Sequence, residues 1–192
     1  MHPPVSQNLF ARASESRRRR QATRAQRNNL RFIDRCQKDY EFHIRTVQGC
    51  ESLLAKQSEI CGLLSKHERV AVKACHGVGK TFVAARIVLA FGSSFPGSKI
   101  ITTAPTGRLV KELLWSEIRS GFEQSRYKLG GEMLSTKWDL GPDWYALGFS
   151  PQKGTESVQT PTNFQCFHAP QVLIIFDEAT RSEEHTSELQ SR

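Results

Sequence analysis

One eight-residue stretch, Ala74–Thr81 (ACHGVGKT), constrains this chain more than any other part of it. It lies between a short β-branched run, Arg69–Ala74 (RVAVKA), and a segment apolar on nearly all sides, Lys80–Phe91 (KTFVAARIVLAF). The first run predicts a strand and the second a buried helix, so the backbone must reverse within a few residues. Gly77 and Gly79 permit that turn, because a residue without a Cβ enters left-handed conformations at little cost. They also let successive N–H groups curl round an anion, to which the following helix adds the positive end of its dipole. The stretch fits the phosphate-binding pattern A/G-x4-G-K-S/T, with Ala74 where glycine is commoner. ATP is therefore expected along Ala74, Cys75, His76, Gly77, Val78, Gly79, Lys80 and Thr81. In this reading Lys80 reaches the β- and γ-phosphates and the Thr81 hydroxyl ligates Mg²⁺. The competing reading is a purely structural glycine turn.

A second signal is Val172–Ala179 (VLIIFDEA), a continuous apolar run ending in two acids. Such a run predicts a strand covered on both faces. Its carboxyl end would deliver Asp177 to the metal and Glu178 to the attacking water, as general base. Alone, an acidic pair after a strand is as often a surface cap. Between the two signals, Lys99–Ala104 predicts another strand, and a helix runs from about Thr106 to Gly121. Ser135–Leu140 and Trp144–Phe149 bracket Gly141-Pro142-Asp143 as a hairpin. Gln152–Asn163 reads as a polar loop. Residues 31–67 carry a helical pattern, with a break near Gly49. Strand–helix alternation gives an α/β class: a mostly parallel sheet flanked by helices, with a helical N-terminal segment.

Charge is segregated. The chain of 192 residues has a formal net charge of +8. Residues 1–31 hold eight arginines against Glu15 alone, whereas 32–180 hold 17 basic and 15 acidic groups. The basic character thus belongs to a flexible arm, residues 1–31. That arm either attracts polyanions through counterion release or is a solvated extension without a partner. No apolar run approaches the ~18 residues of a membrane span, and the N-terminus has no secretory h-region, so membrane and secreted classes are excluded. Five cysteines without a C-x-x-C pair argue against a disulfide framework or zinc ribbon.

Other candidates are weaker. Gln57, on the helix before the first strand, has a carboxamide able to read an adenine edge; equally, it fits an exposed helix glutamine. Arg69, Arg86, Arg108 and Arg119 are each able to stabilise charge on a γ-phosphate, and sequence does not choose among them. Cys75 and His76, like Cys166 and His168, have no further ligand at metal spacing and read as packing residues.

Several blocks together resemble the ATPase domain of the large terminase subunit of tailed bacteriophages or prophages. They are VAVKACHGVGKT (Val70–Thr81), IITTAPTGR (Ile100–Arg108), LLWSEIR (Leu113–Arg119), WDLGPDWYALGFSPQ (Trp138–Gln152), FQCFHAP (Phe164–Pro170) and VLIIFDEAT (Val172–Thr180). The likeness covers about residues 50–180 and implies a P-loop NTPase that packages double-stranded DNA into a procapsid. It implies adenine contact by Gln57, metal binding by Thr81 and Asp177, and catalysis by Lys80 and Glu178. It also implies the small terminase subunit and a portal protein as partners, a homo-oligomer, and a location in the bacterial host cytoplasm, transiently at the procapsid. Cys166 stands where relatives often carry glycine. No nuclease domain or coupling motif corresponds to anything here. The last twelve residues, Arg181–Arg192 (RSEEHTSELQSR), resemble the translation of a sequencing-library adapter and read as an assembly scar.

Residues 32–180 are on this reading a partial ATPase domain. The resemblance implies that the strand after the acidic pair inserts beside the loop strand, and its absence predicts an incomplete sheet with exposed apolar edges. IITTAPTGR also resembles the strand and turn of helicases, which keeps a helicase-like DNA-dependent ATPase in play, as does a non-catalytic DNA-binding module. The 192-residue chain is expected to hydrolyse ATP negligibly; sustained phosphate release that disappears in Lys80→Ala would contradict this.

Overall fold

The computed structural model describes residues 23–24, 26–75, 77–150 and 169–177. Three helices come first: α1 (residues 26–38), α2 (Tyr40–Thr46) and α3 (Ala55–Leu64). Asp39 separates the first two. Its carboxylate accepts from Phe42 N at 2.8 Å and caps α2, satisfying an amide the helix leaves unpaired. Gly49, at φ +74, ends this part where the break is expected. The helix α1 begins inside the stretch read as an arm.

The rest is one α/β unit. It comprises α4 (Lys80–Ser94), β1 (Lys99–Thr103), α5 (Gly107–Leu109), a π-helical turn (Val110–Leu114), α6 (Trp115–Gln124), β2 (Glu132–Met133), β3 (Lys137–Gly141), β4 (Trp144–Phe149) and β5 (Val172–Phe176). The sheet order is β2-β3-β4-β1-β5, with β1 parallel to both β4 and β5 and the β2–β3–β4 pairs antiparallel. Thr103 is level with both Phe149 and Phe176, so the three parallel strands finish along one edge.

Burial is concentrated on α4, where Val83, Ala85, Ile87, Val88, Leu89, Ala90 and Phe91 are all inside. Its neighbours are α6 on one side, α2 on another, and β1 and β4 beneath. Tryptophans lock the layers. Trp115 donates its indole N–H to Thr102 Oγ1 at 2.9 Å and lies flat enough on β4 that only glycine fits at 148. Trp138 fills the space over Gly92 and meets Phe122 edge-on, with centroids 5.8 Å apart. Trp144 donates to Gly92 O at 2.9 Å. Trp115 and Trp138 are wholly buried and Trp144 partly so, and each indole N–H is satisfied, that of Trp138 by Gly130 O at 3.0 Å.

Two strand expectations need correction. Residues 69–75 have no regular secondary structure, are exposed except for the half-buried Val70, and form no ladder with any described strand. Valine-rich sequence favours extended backbone, yet a strand exists only where a neighbour takes its hydrogen bonds, and β1 already has β4 and β5 on its two sides. The second is β5, which the described residues cover on one face only. Leu173 and Ile175 face the core, while Val172, Ile174 and Phe176 are 38%, 37% and 59% exposed. It is the last described strand on its side of the sheet. The expected loop 152–163 lies outside the described residues.

One buried polar group makes this fold pH-sensitive. His43 on α2 is held between Gln48, whose Nε2 lies 3.3 Å from Nδ1, and Ser93 of α4, whose hydroxyl lies 2.9 Å from Nε2. Ser93 spends its own proton on Leu89 O, so His43 Nε2 carries the hydrogen and Nδ1 accepts. Burial pushes the imidazole pKa down to about 4 from its ordinary 6.5. The unfolded chain binds a proton that the folded chain refuses, so stability is full above pH 6.5 and falls as pH drops toward 4. The loss is expected to approach about 3 kcal/mol. Urea midpoints at pH 7 and pH 4.5 should show it, and His43→Leu should flatten that part of the profile.

Candidate nucleotide-binding site

The turn from residue 75 into α4 adopts the backbone its glycines allow, with Gly77 at φ +80 and Gly79 at φ +78. Gly79 is the N-cap of α4 and its carbonyl takes the first helical hydrogen bond, from Val83 N at 3.0 Å. The helix N-terminus therefore opens directly under the loop, where orphan N–H groups and the dipole favour an anion. The Lys80 side chain folds back, and its ammonium donates to Ala74 O at 2.6 Å and to Cys75 O at 2.9 Å. In this arrangement lysine occupies the mouth of the loop with its charge satisfied by carbonyls. A phosphate would compete for the same ammonium with a full negative charge, the stronger partner.

The register of β5 against β1 brings the second signal to the first. Asp177 follows Phe176 and donates its backbone N–H to Thr103 O at 2.8 Å, which extends the parallel ladder by one bond. Its carboxylate then lies 3.5 Å from the Thr81 hydroxyl, although the two residues are 96 positions apart in sequence. A hydroxyl and a carboxylate converging beside a phosphate loop form a hard oxygen donor set of the kind Mg²⁺ takes with phosphate and water. Glu178 and His76 lie outside the described residues. Among the described residues no three or more His, Cys, Asp or Glu side chains cluster as a metal site.

Gln57 is 6% exposed, and the structure gives its carboxamide two tasks. Oε1 accepts from Leu54 N at 3.0 Å and closes the start of α3. Nε2 points at the loop, 3.5 Å from both Val78 O and Gly79 O. Its approach is close enough that a Cβ at position 79 would collide with Nε2. The carboxamide thus joins α3 to the phosphate loop. Thr103 is the residue that sequence reasoning missed; it acts through its backbone carbonyl, which no residue type announces.

The four arginines separate. Arg86 is buried, donates to Gly121 O at 3.4 Å and stands 4.9 Å over the Phe82 ring, a structural placement. Arg119 donates to Ser135 O. Arg108 pairs with Glu112 at 2.6 Å on the surface. Arg69 is exposed, in the irregular stretch leading to the loop.

Residues 20–190 match the model of a family described as type III restriction enzyme, res subunit. The chain belongs to that family. Its members are P-loop, helicase-like ATPases, so the phosphate loop, the acidic residue ending β5 and the flanked sheet are those of an ATP-hydrolysing fold. Neither the curated proteins nor the solved structures yielded a match. No helix among the described residues is long and apolar enough to cross a membrane.

If Gln57 acts by bracing the loop, its loss should not depend on the base. Gln57→Ala is expected to weaken ATP and GTP alike, by roughly five-fold, the worth of about 1 kcal/mol of long hydrogen bonds. Equilibrium titration with fluorescent analogues of both nucleotides measures this; a loss confined to ATP would return the residue to adenine recognition.

Proposed function

We propose that this chain is the ATPase part of a motor that moves along double-stranded DNA, of the packaging kind found in large terminase subunits. The observation that carries the ATPase half is the approach of Thr81 to Asp177 beneath the loop, at 3.5 Å. There Thr81 and Asp177 would hold Mg²⁺, whose chemistry is to neutralise charge on the phosphates during transfer. Lys80 leaves the carbonyls of Ala74 and Cys75 for the β- and γ-phosphates. The amides of Val78 and Gly79, presented by their left-handed neighbours, enclose the same oxygens. Glu178, next along the chain from Asp177, serves as the base that orients and deprotonates water.

The packaging half is supported by the resemblance of the blocks between the two signals, above all Trp138–Gln152, which spans the β3–β4 hairpin. By that likeness the partners are duplex DNA, a small terminase subunit and a portal, met in the host cytoplasm at the procapsid, and the working form is a homo-oligomer. A second reading, a helicase-like DNA-dependent ATPase, is favoured by the family match over residues 20–190.

Triplex displacement separates them. The product of the complete reading frame is given linear duplex DNA carrying a short third strand. Release of the third strand with ATP, while the duplex stays annealed, is the packaging outcome. Separation of the duplex itself would favour the helicase, and the absence of DNA-stimulated ATP turnover would refute both.

A further inference from the structure

The helix α1 carries charge in a pattern that neither the fold nor the nucleotide site uses. Arg27, Arg31, Arg35 and Lys38 succeed one another at spacings of four, four and three residues, and all four are exposed, as is Arg24 just ahead of the helix. At about 100° per residue they fall within an arc of about 80° on one face of the helix. Ile33, Cys36 and Gln37 lie elsewhere on the helix. Cys36 is buried, and Gln37 donates to Ser94 O of α4 at 2.8 Å. The basic face is therefore held outward by a packed face rather than by chance orientation.

Two details sharpen it. The Arg35 guanidinium rests 3.8 Å over the Phe42 ring, which fixes one cation of the row before any partner arrives. Asp34, on the same face, pairs with Lys38 at 2.6 Å and subtracts from the charge at that end. Phe32, the aromatic residue of this helix, sits against Phe42 at 5.7 Å and not in the basic arc.

We propose that this face of α1 docks the phosphate backbone of duplex DNA along one strand. From Arg27 to Lys38 the row spans roughly 17 Å at 1.5 Å per residue. Phosphates along one winding strand lie about twice the 3.4 Å axial rise apart, so the row follows about three of them and meets each with positive charge. The arc offers no ring on which bases would stack, which favours a paired backbone over a single strand. The inference deepens the motor reading, on which its biological sense rests, by naming where the duplex is held.

The test is salt-dependent binding of the full 192-residue chain to a fluorescent 30-base-pair duplex, followed by anisotropy from 50 to 200 mM NaCl. Arg27→Gln with Arg31→Gln should lower the slope of log K against log salt by about 1.8 and weaken binding on the order of 50-fold near 0.1 M. Arg27→Lys with Arg31→Lys should keep the slope, and Arg31→Gln alone should lower it by about 0.9. Circular dichroism and nucleotide affinity are expected to stay unchanged in all three. An unchanged slope in the folded double variant overturns the proposal. So does equal competition by single-stranded DNA, by double-stranded RNA or by polyglutamate of the same charge. Nucleotide binding without any duplex binding by the unmodified chain would end this assignment and leave the ATPase standing. Salt-dependent duplex binding without triplex displacement would end the motor reading and leave the surface standing.

Discussion

Everything at the nucleotide site depends on the parallel register of β1 and β5. Because Thr103 pairs with Phe176, the next residue, Asp177, emerges where Thr103 O can take its amide and where Thr81 begins α4. A slip of one residue would turn Asp177 to the other face of the sheet and separate the two halves of the site. The register is itself set by burial. Leu173 and Ile175 pack on the core, and Ile100, Thr102 and Ile101 on β1 are wholly inside. The chemistry is thus fixed by apolar alternation, several residues before any acid appears.

The phosphate loop is held differently at its two ends. On the α4 side it is anchored by a helix buried almost all round, with Gly79 as its cap. On the other side, residues 69–75 have no ladder among the described strands, and the loop is restrained by side chains instead. Lys80 grips Ala74 and Cys75 from within, and Gln57 reaches Val78 and Gly79 from α3. Backbone ladders are cooperative, whereas two or three side-chain contacts are worth only about 1 kcal/mol each. Nucleotide binding must also take Lys80 away from its carbonyls. The entry side of the loop is therefore the part of the site where order costs most to maintain.

The elements legible in the sequence were those whose signal is local. The α4 helix is apolar all round, β1 is a β-branched run, and Gly141-Pro142-Asp143 marks its hairpin; each folds as its residues suggest, with Asp143 taking the positive φ of 55° that the turn demands. The glycines of the loop declared their left-handed backbone in the same way. What was not legible depended on neighbours. RVAVKA has the composition of a strand but lacks a described partner, and VLIIF reads as doubly covered because apolarity alone does not say which face meets a layer. Gln57 was noticeable as a carboxamide before a phosphate loop, yet whether it faces a base or the loop is a matter of how α3 packs. The basic row of α1 was hidden by a boundary, since a count of arginines over 1–31 reads as an arm while Arg35 and Lys38 continue the same face.

Those two surfaces, the loop and the basic face, meet on one element. The loop opens on the first residue of α4, and the last turn of α4 holds α1 through Ser94 O and Gln37, and α2 through Ser93 and His43. Gln48 adds a further tie, donating to Arg86 O midway along the helix at 2.8 Å. A helix of 15 residues packed on every side transmits displacement along its axis better than it bends. The N-terminus of α4, where Lys80 sits, and the base of α1 are thus joined by one packed helix about 22 Å long. His43 lies in that joint, where burial disfavours its charged form. The contact that makes the fold sensitive to acid thus ties α2 to the last turn of α4, one residue from the carbonyl that holds α1 and its basic face.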